Sequence, residues 1–311
     1  KMKKRGLEFG FEWLFAIIVG AVILFFAIFF VSRFSGTQKE AVNLETAKEI
    51  EIALNPFETG IASGKGGKLE FPQETRIFND CSETGVGKQL ISVSTKSFDQ
   101  WSEESGAISI NDRYLFSERM NEGRIVYLFS KDFYFPFKSG DIIVLYSEDY
   151  CFKDTPEEIR DDLEKLNLGN IKFDKCAQDD IKVCFETQCE ISVYGTGSGI
   201  DKYEQGYVKK DGKNVFYVNE LVYGAVFSDP VVYECNVKRI MKRVSELSKL
   251  YGDESVLYGQ GCGTQIYSSL LLFSNEAKNL ESSDKLIFPL KDNADALERE
   301  HTQLSEGCKL W

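Results

Sequence analysis

A thiol and an imidazole are the side chains best suited to covalent chemistry in this chain. Cys262 lies between Gly261 and Gly263, where a nucleophile would be sterically open, and His301 is the only histidine. Such a pair attacks acyl carbons once a third group orients the imidazole. No carboxylate or amide is spaced to be that orienter. His301 instead shares an apolar helical stripe with Leu297, Leu304 and Cys308, the pattern of a packed histidine. A serine hydrolase using His301 would lack its nucleophile elbow.

Other motifs fall short for stated reasons. Gly64-Lys65 and Gly87-Lys88 are followed by Gly66 and Gln89, so neither has the hydroxyl a phosphate loop places on Mg²⁺. Gly195, Gly197 and Gly199 follow a strand without dinucleotide-binding spacing. The pairs Asp161-Asp162 and Asp179-Asp180 could meet Ca²⁺, but neither sits in an EF-hand pattern, and exposed charge is their default reading. The aromatic run Phe133, Tyr134 and Phe135 reads as core packing. No cofactor or metal is expected.

Cysteine usage points to a compartment. Cys81, Cys151, Cys176, Cys184, Cys189, Cys235, Cys262 and Cys308 make an even set, as a disulfide framework requires. Zinc knuckles would need closer pairs or more histidine. Cys184 and Cys189 flank a four-residue turn between two strands and are expected to bridge across a hairpin. Cys151 and Cys176 are expected to meet at one sheet edge. Cys235 with Cys262 and Cys81 with Cys308 then follow by elimination.

The net charge is -12, with 49 acidic against 37 basic residues, which disfavours a nucleic-acid partner. Hydrophobic residues are 43% and charged residues 28%, ordinary for a globular chain.

Residues 13–31 carry no charge and follow Lys1, Lys3, Lys4 and Arg5. That pattern predicts a single-pass signal anchor in the cell membrane, with a cytoplasmic N-terminus, the bilayer as partner and the rest of the chain extracytoplasmic. Ala16 and Gly20, four apart, would let two such helices approach closely and self-associate, or meet other surface proteins. The basic stretch ending in Gly6, followed by Glu12 and the apolar run, resembles the start of archaeal type IV pilin-like proteins. The resemblance implies cleavage after Gly6 and matches Glu12 to the family's acidic residue just before the hydrophobic helix. Leu221-Val222-Tyr223-Gly224-Ala225-Val226-Phe227-Ser228-Asp229-Pro230, with Tyr233-Glu234-Cys235-Asn236, is similar to uncharacterised archaeal single-span surface proteins. That likeness implies no activity.

The elements that would position these residues follow from periodicity. Ala41, Leu44, Ala47, Ile50 and Leu54 form one stripe of a stalk helix, packed on its own domain or on a partner helix. Short alternating segments read as strands, and residues 142–145, apolar on both faces, suit a central strand. Thr155-Pro156-Glu157-Glu158 reads as a capping box with proline at the first helical position. That strand, the capped helix and residues 171–173 predict a βαβ unit. Asp211-Gly212 marks a hairpin. Asp229 and Pro230 open a run of C-terminal helices, the third beginning at Asp292.

The expected fold is therefore a mixed α/β (α+β) ectodomain with a mixed sheet, a βαβ unit and C-terminal helices on one N-terminal transmembrane helix. Its divisions are residues 1–32 for the basic flank and membrane helix, 33–56 for the stalk, and 57–311 for the domain, helical from about 229. The expected function is a membrane-anchored, pilin-like surface or envelope protein acting in assembly or binding rather than as an enzyme. The alternative is a membrane-tethered extracytoplasmic hydrolase using Cys262 and His301.

Overall fold

In a computed structural model of the chain, the described residues are 11–58, 64, 66–83, 87–111, 113–257 and 264–311. Helix α1 (Phe11–Glu58) comes first, its side chains described at Trp13, 15–30, 45–50 and Ile52. Seven strands follow: β1 (Gly66–Ser82), β2 (Lys88–Ser97), β3 (Gln100–Trp101), β4 (Ile108–Ile110), β5 (Tyr114–Phe116), β6 (Met120–Tyr134) and β7 (Lys138–Tyr146). They form one sheet in the order β3-β2-β1-β6-β7-β5, with β4 also on β2.

Both faces of this sheet are buried, which explains the unbroken apolar run in β7. Ile142, Val144 and Tyr146 face the main core, while Ile143 and Leu145 face a second cluster with Ala47 and Ile50 of α1. A pleated strand sends alternate side chains to opposite faces, so two covered faces demand apolar residues at every position. The stalk stripe is thus resolved at Ala47 and Ile50 in favour of packing on its own domain. The side chains of Ala41, Leu44 and Leu54 lie outside the described residues.

The second sheet comprises β8 (Tyr150–Lys153), β9 (Ile171–Phe173), β10 (Ile181–Phe185), β11 (Ile191–Gly195), β12 (Gln205–Lys210) and β13 (Lys213–Val218), with helix α2 (Glu157–Glu164) between β8 and β9. Its order is β13-β12-β11-β10-β8-β9. Helices α3 (Leu221–Phe227), α4 (Pro230–Leu257), α5 (Thr264–Lys278) and α6 (Asp292–Thr302) complete the chain. Every residue of α3 is buried. Phe227 touches Tyr146 of the first sheet and Tyr150 and Phe152 of the second, with ring centroids 4.7, 4.5 and 6.1 Å away. Asp229 Oδ1 accepts from the backbone N–H of Val231 at 2.8 Å and of Val232 at 3.2 Å, capping α4 as expected. Asp211 and Gly212, at φ 52° and 71°, turn β12 into β13.

The expected architecture is corrected at several points. There are two sheets rather than one mixed sheet. Among the described residues no helix is long and apolar enough to cross a membrane.

The βαβ unit is present but begins one strand later, at β8, which pairs parallel with β9. Strand β8 holds only four residues, too few to show a period of its own. The capping box is not formed: Pro156 is the N-cap residue, without a side-chain cap bond, and Thr155 Oγ1 is buried without a partner.

Cys184 and Cys189 are bonded, as are Cys151 and Cys176, both as expected. Strands β10 and β11 nevertheless pair parallel, not as an antiparallel hairpin. Residues 186–190 double back so that β11 restarts alongside β10, and the bridge closes that return. The pairings by elimination are corrected, because Cys81 bonds Cys235 with their Cα atoms 6.1 Å apart. The end of β1 abuts the first turns of α4, a proximity across 154 residues that no spacing rule reveals. Cys308 is also disulfide-bonded.

Candidate functional site

The two residues proposed for covalent chemistry fare differently. Cys262, like Gly6, lies outside the described residues. His301, on α6, is buried, and its Nε2 accepts from the backbone N–H of Leu310 at 2.9 Å and of Trp311 at 3.2 Å. Its ring stacks on the Trp311 indole, with centroids 3.8 Å apart and planes 12° from parallel. Burial pushes the imidazole below its ordinary titration range. A nitrogen already accepting two N–H groups is not free to take a proton from a thiol. The imidazole pins the C-terminal tail.

A cleft between α2 and α3 gathers more polar chemistry. Its volume is about 570 Å³. The carboxylates of Glu158, Asp161, Asp162, Glu204 and Glu220 on its walls outnumber the Lys165 amine. Asp162 Oδ2 accepts from Lys131 Nζ at 2.8 Å and from the Tyr223 hydroxyl at 3.0 Å. Lys131 also lies over the Tyr223 ring, 5.4 Å from its centroid. These elements are placed by packing: Ile159 and Leu163 seat α2 on the core, and α3 is clamped between the sheets. Burial raises the Glu220 carboxyl above the usual range, and Glu220 Oε2 has no hydrogen-bond partner. Burial and then the Asp162 charge push the Tyr223 phenol upward. The arrangement offers fixed acceptors to a cationic or hydroxyl-bearing group.

A second cleft, of about 480 Å³, runs beside the Cys81–Cys235 bridge and is lined by Asp80, Glu83, Arg119, Lys213 and Lys238 among others. Its charges are largely satisfied: Lys238 meets Glu83 at 3.2 Å, and Arg119 meets Asp229 at 3.2 Å.

Of the remaining sequence candidates, Asp180 is buried against Lys172 at 2.7 Å and the Ala177 N–H at 2.6 Å. The Lys172 bond, then that N–H, hold its carboxyl below the usual range, so it is structural. Among the described residues no group of three or more histidine, cysteine or acidic side chains could hold a metal. At Gly197 a Cβ would lie 2.2 Å from Asp201 O, so that loop is folded on itself. Phe133 and Phe135 are buried, as the core reading expected, but Tyr134 between them is exposed, because alternate residues of the strand face opposite sides. Ala16 and Gly20 lie on α1 with nothing within 4 Å of a Cβ built at Gly20.

Asp162 was visible in the sequence only as part of an acidic pair. Lys131, Glu220 and Tyr223 share no motif or spacing that would mark them as a set. The one available signal was an all-apolar helix, residues 221–227, preceded directly by the acid Glu220.

Comparison with family models, curated proteins and solved structures found no match to any of them.

Proposed function

We propose that this chain is an extracytoplasmic surface or envelope component that acts by assembly or binding rather than by catalysis. The observation that carries this reading is the set of three disulfides, Cys81–Cys235, Cys151–Cys176 and Cys184–Cys189. A domain of this size buries a large core without staples, so its bridges report an oxidising compartment rather than a need for cross-links. The two N–H groups on His301 Nε2 favour this reading over the hydrolase alternative, which needs that nitrogen as a base. Helix α1 supplies a contact surface, since Phe15, Ile18, Phe25 and Phe29 are exposed apolar side chains. Apolar runs of that kind are covered by lipid or by a neighbouring surface protein, a second copy included. The chain's acidity argues against nucleic acid.

The test is to trap thiols in the native cell envelope with a membrane-impermeant alkylating reagent, then to crosslink and identify neighbours. The expected result is unmodified, disulfide-bonded cysteines and envelope proteins or lipid among the crosslinks. Reduced Cys81 and Cys235 with cytoplasmic neighbours would overturn the proposal.

A further inference from the structure

Two carboxylates face each other across the first sheet. Asp132 of β6 and Asp141 of β7 are directly paired in the antiparallel ladder. Asp141 Oδ1 is buried without a hydrogen-bond partner, and after burial the Asp132 carboxyl is the neighbour that most raises the Asp141 carboxyl. The Asp141 side chain is only 8% exposed. Like charges at directly opposed positions destabilise a ladder, and two fully ionised carboxylates have no hydrogen to share. We infer that Asp132 and Asp141 share one proton and form an acid-tightened clamp at the base of the β6–β7 hairpin.

The surrounding charges define the balance. Lys138, on β7 itself, has its Nζ 2.7 Å from Asp132 Oδ1 and 3.4 Å from Asp141 Oδ1. One ammonium therefore serves two carboxyl groups, and a proton on one of them relieves their mutual repulsion. Arg113 and Tyr114, beside and on β5, and Arg243 of α4 line the small cavity that Asp141 also borders. Lys138 favours ionisation of Asp141, whereas burial first and then the Asp132 carboxyl oppose it and push the Asp141 carboxyl up to about 6.

The position of the clamp gives it a structural effect. The loop it closes carries Phe135 and Phe137 into the helical layer. Phe135 meets Phe273 of α5 at 5.8 Å, and Phe137 meets Tyr251 of α4 at 4.9 Å and Trp311 of the tail at 5.4 Å. Holding the two strands together at this point therefore holds the first sheet against the helices.

The sign is fixed by linkage. A carboxyl whose folded-state titration lies above its ordinary value of 3.8 binds its proton more tightly in the folded protein. The clamp thus strengthens as pH falls through about 6 towards 3.8 and weakens as pH rises through about 6.

The test is a ¹³C NMR titration of the aspartate carboxyls in the full chain, with thermal melts of the parent and of Asp141→Asn at pH 7.5 and pH 5. The expected midpoint for Asp141 is about 6. Asp141→Asn is expected to melt at or above the parent at pH 7.5 and to lose the parent's relative gain at pH 5. Midpoints below 4 for both carboxyls would overturn the inference, whether or not the variant folds. So would an equal loss of melting temperature at both pH values, which would mark Asp141 as an ionised partner of Lys138.

Discussion

The His301 imidazole lies flat against the Trp311 indole at 3.8 Å while its Nε2 receives the Leu310 and Trp311 backbone N–H groups. One side chain therefore satisfies two buried donors and stacks on a third group. His301→Ala is expected to cost about 2–4 kcal/mol, the sum of unsatisfied buried N–H groups and a lost aromatic contact. Denaturant melts measure this directly. A cost below half of that range would mean the tail finds other acceptors.

Protonating His301 removes the Nε2 acceptor, so its contribution depends on pH. The folded imidazole titrates below the ordinary value of 6.5 because it is buried. The unfolded chain then takes up the proton first, and the contribution is complete above 6.5 and declines as pH falls below it. His301→Gln keeps an acceptor at the same reach and has nothing to titrate. It should flatten this part of the stability profile between pH 7.5 and pH 5. This acid loss opposes the acid gain at Asp141, so the two are separated by their variants rather than in the parent alone.

The Cys81–Cys235 bridge joins β1 to α4 across 154 residues. Closing so long a loop in the unfolded chain stabilises the fold by about 3–5 kcal/mol. Replacing both cysteines by serine should lower the denaturation midpoint accordingly. Replacing Cys184 and Cys189, only five residues apart, should cost less. Non-reducing peptide maps are expected to recover Cys81 with Cys235, Cys151 with Cys176 and Cys184 with Cys189. Cys308 is bonded as well, and the same maps identify its partner. A free Cys262 thiol would reopen the nucleophile reading.

Arg239 is buried between α4 and the first sheet. Its Nη1 donates to Gln89 Oε1 and Asn236 Oδ1, each at 2.9 Å, and its guanidinium lies 5.4 Å from the Tyr114 ring centroid. Gln89 in turn donates to Asn79, and Asn79 Nδ2 reaches Ser117 Oγ at 2.6 Å. Gly87 sits over this arginine at φ 78°, where an added Cβ would come within 2.6 Å of Arg239 Cγ. Gly87→Ala is expected to destabilise by about 1–3 kcal/mol through backbone strain and this clash. Arg239→Ala should cost about 2–4 kcal/mol by orphaning two buried amide acceptors and losing the side chain's packing. The double variant should fall short of the sum, because the clash disappears with the side chain.

Ile50 of α1 is fully buried in the second cluster of the first sheet. Ile50→Ala should cost about 2–4 kcal/mol in the unfolding of the domain. If the residue instead served a helix–helix contact between copies, the variant would shift the oligomeric state and leave the melt unchanged. Sedimentation and thermal melts on the same sample distinguish these outcomes.

Several features could be read from the residues because they are local. Asp229 and Pro230 open α4, Asp211-Gly212 turns β12 into β13, and the two-faced apolar run of β7 marks a covered sheet. Each follows from hydrogen-bond geometry or side-chain alternation within a few residues. Cys184–Cys189 was legible for the same reason, although the direction of β11 was not, since a short loop does not state which way the chain resumes. The Cys81–Cys235 bridge, the Asp132–Asp141 pair, the Lys131–Asp162–Tyr223 bonds and the tail held by His301 belong to tertiary structure. They join residues 9 to 154 positions apart, and their proximity depends on how two sheets and four C-terminal helices pack. The stripe on α1 shows the division most directly. Its spacing declared a buried face, and only the sheet beneath Ala47 and Ile50 decided what buries it, because an apolar stripe is complementary to any apolar surface.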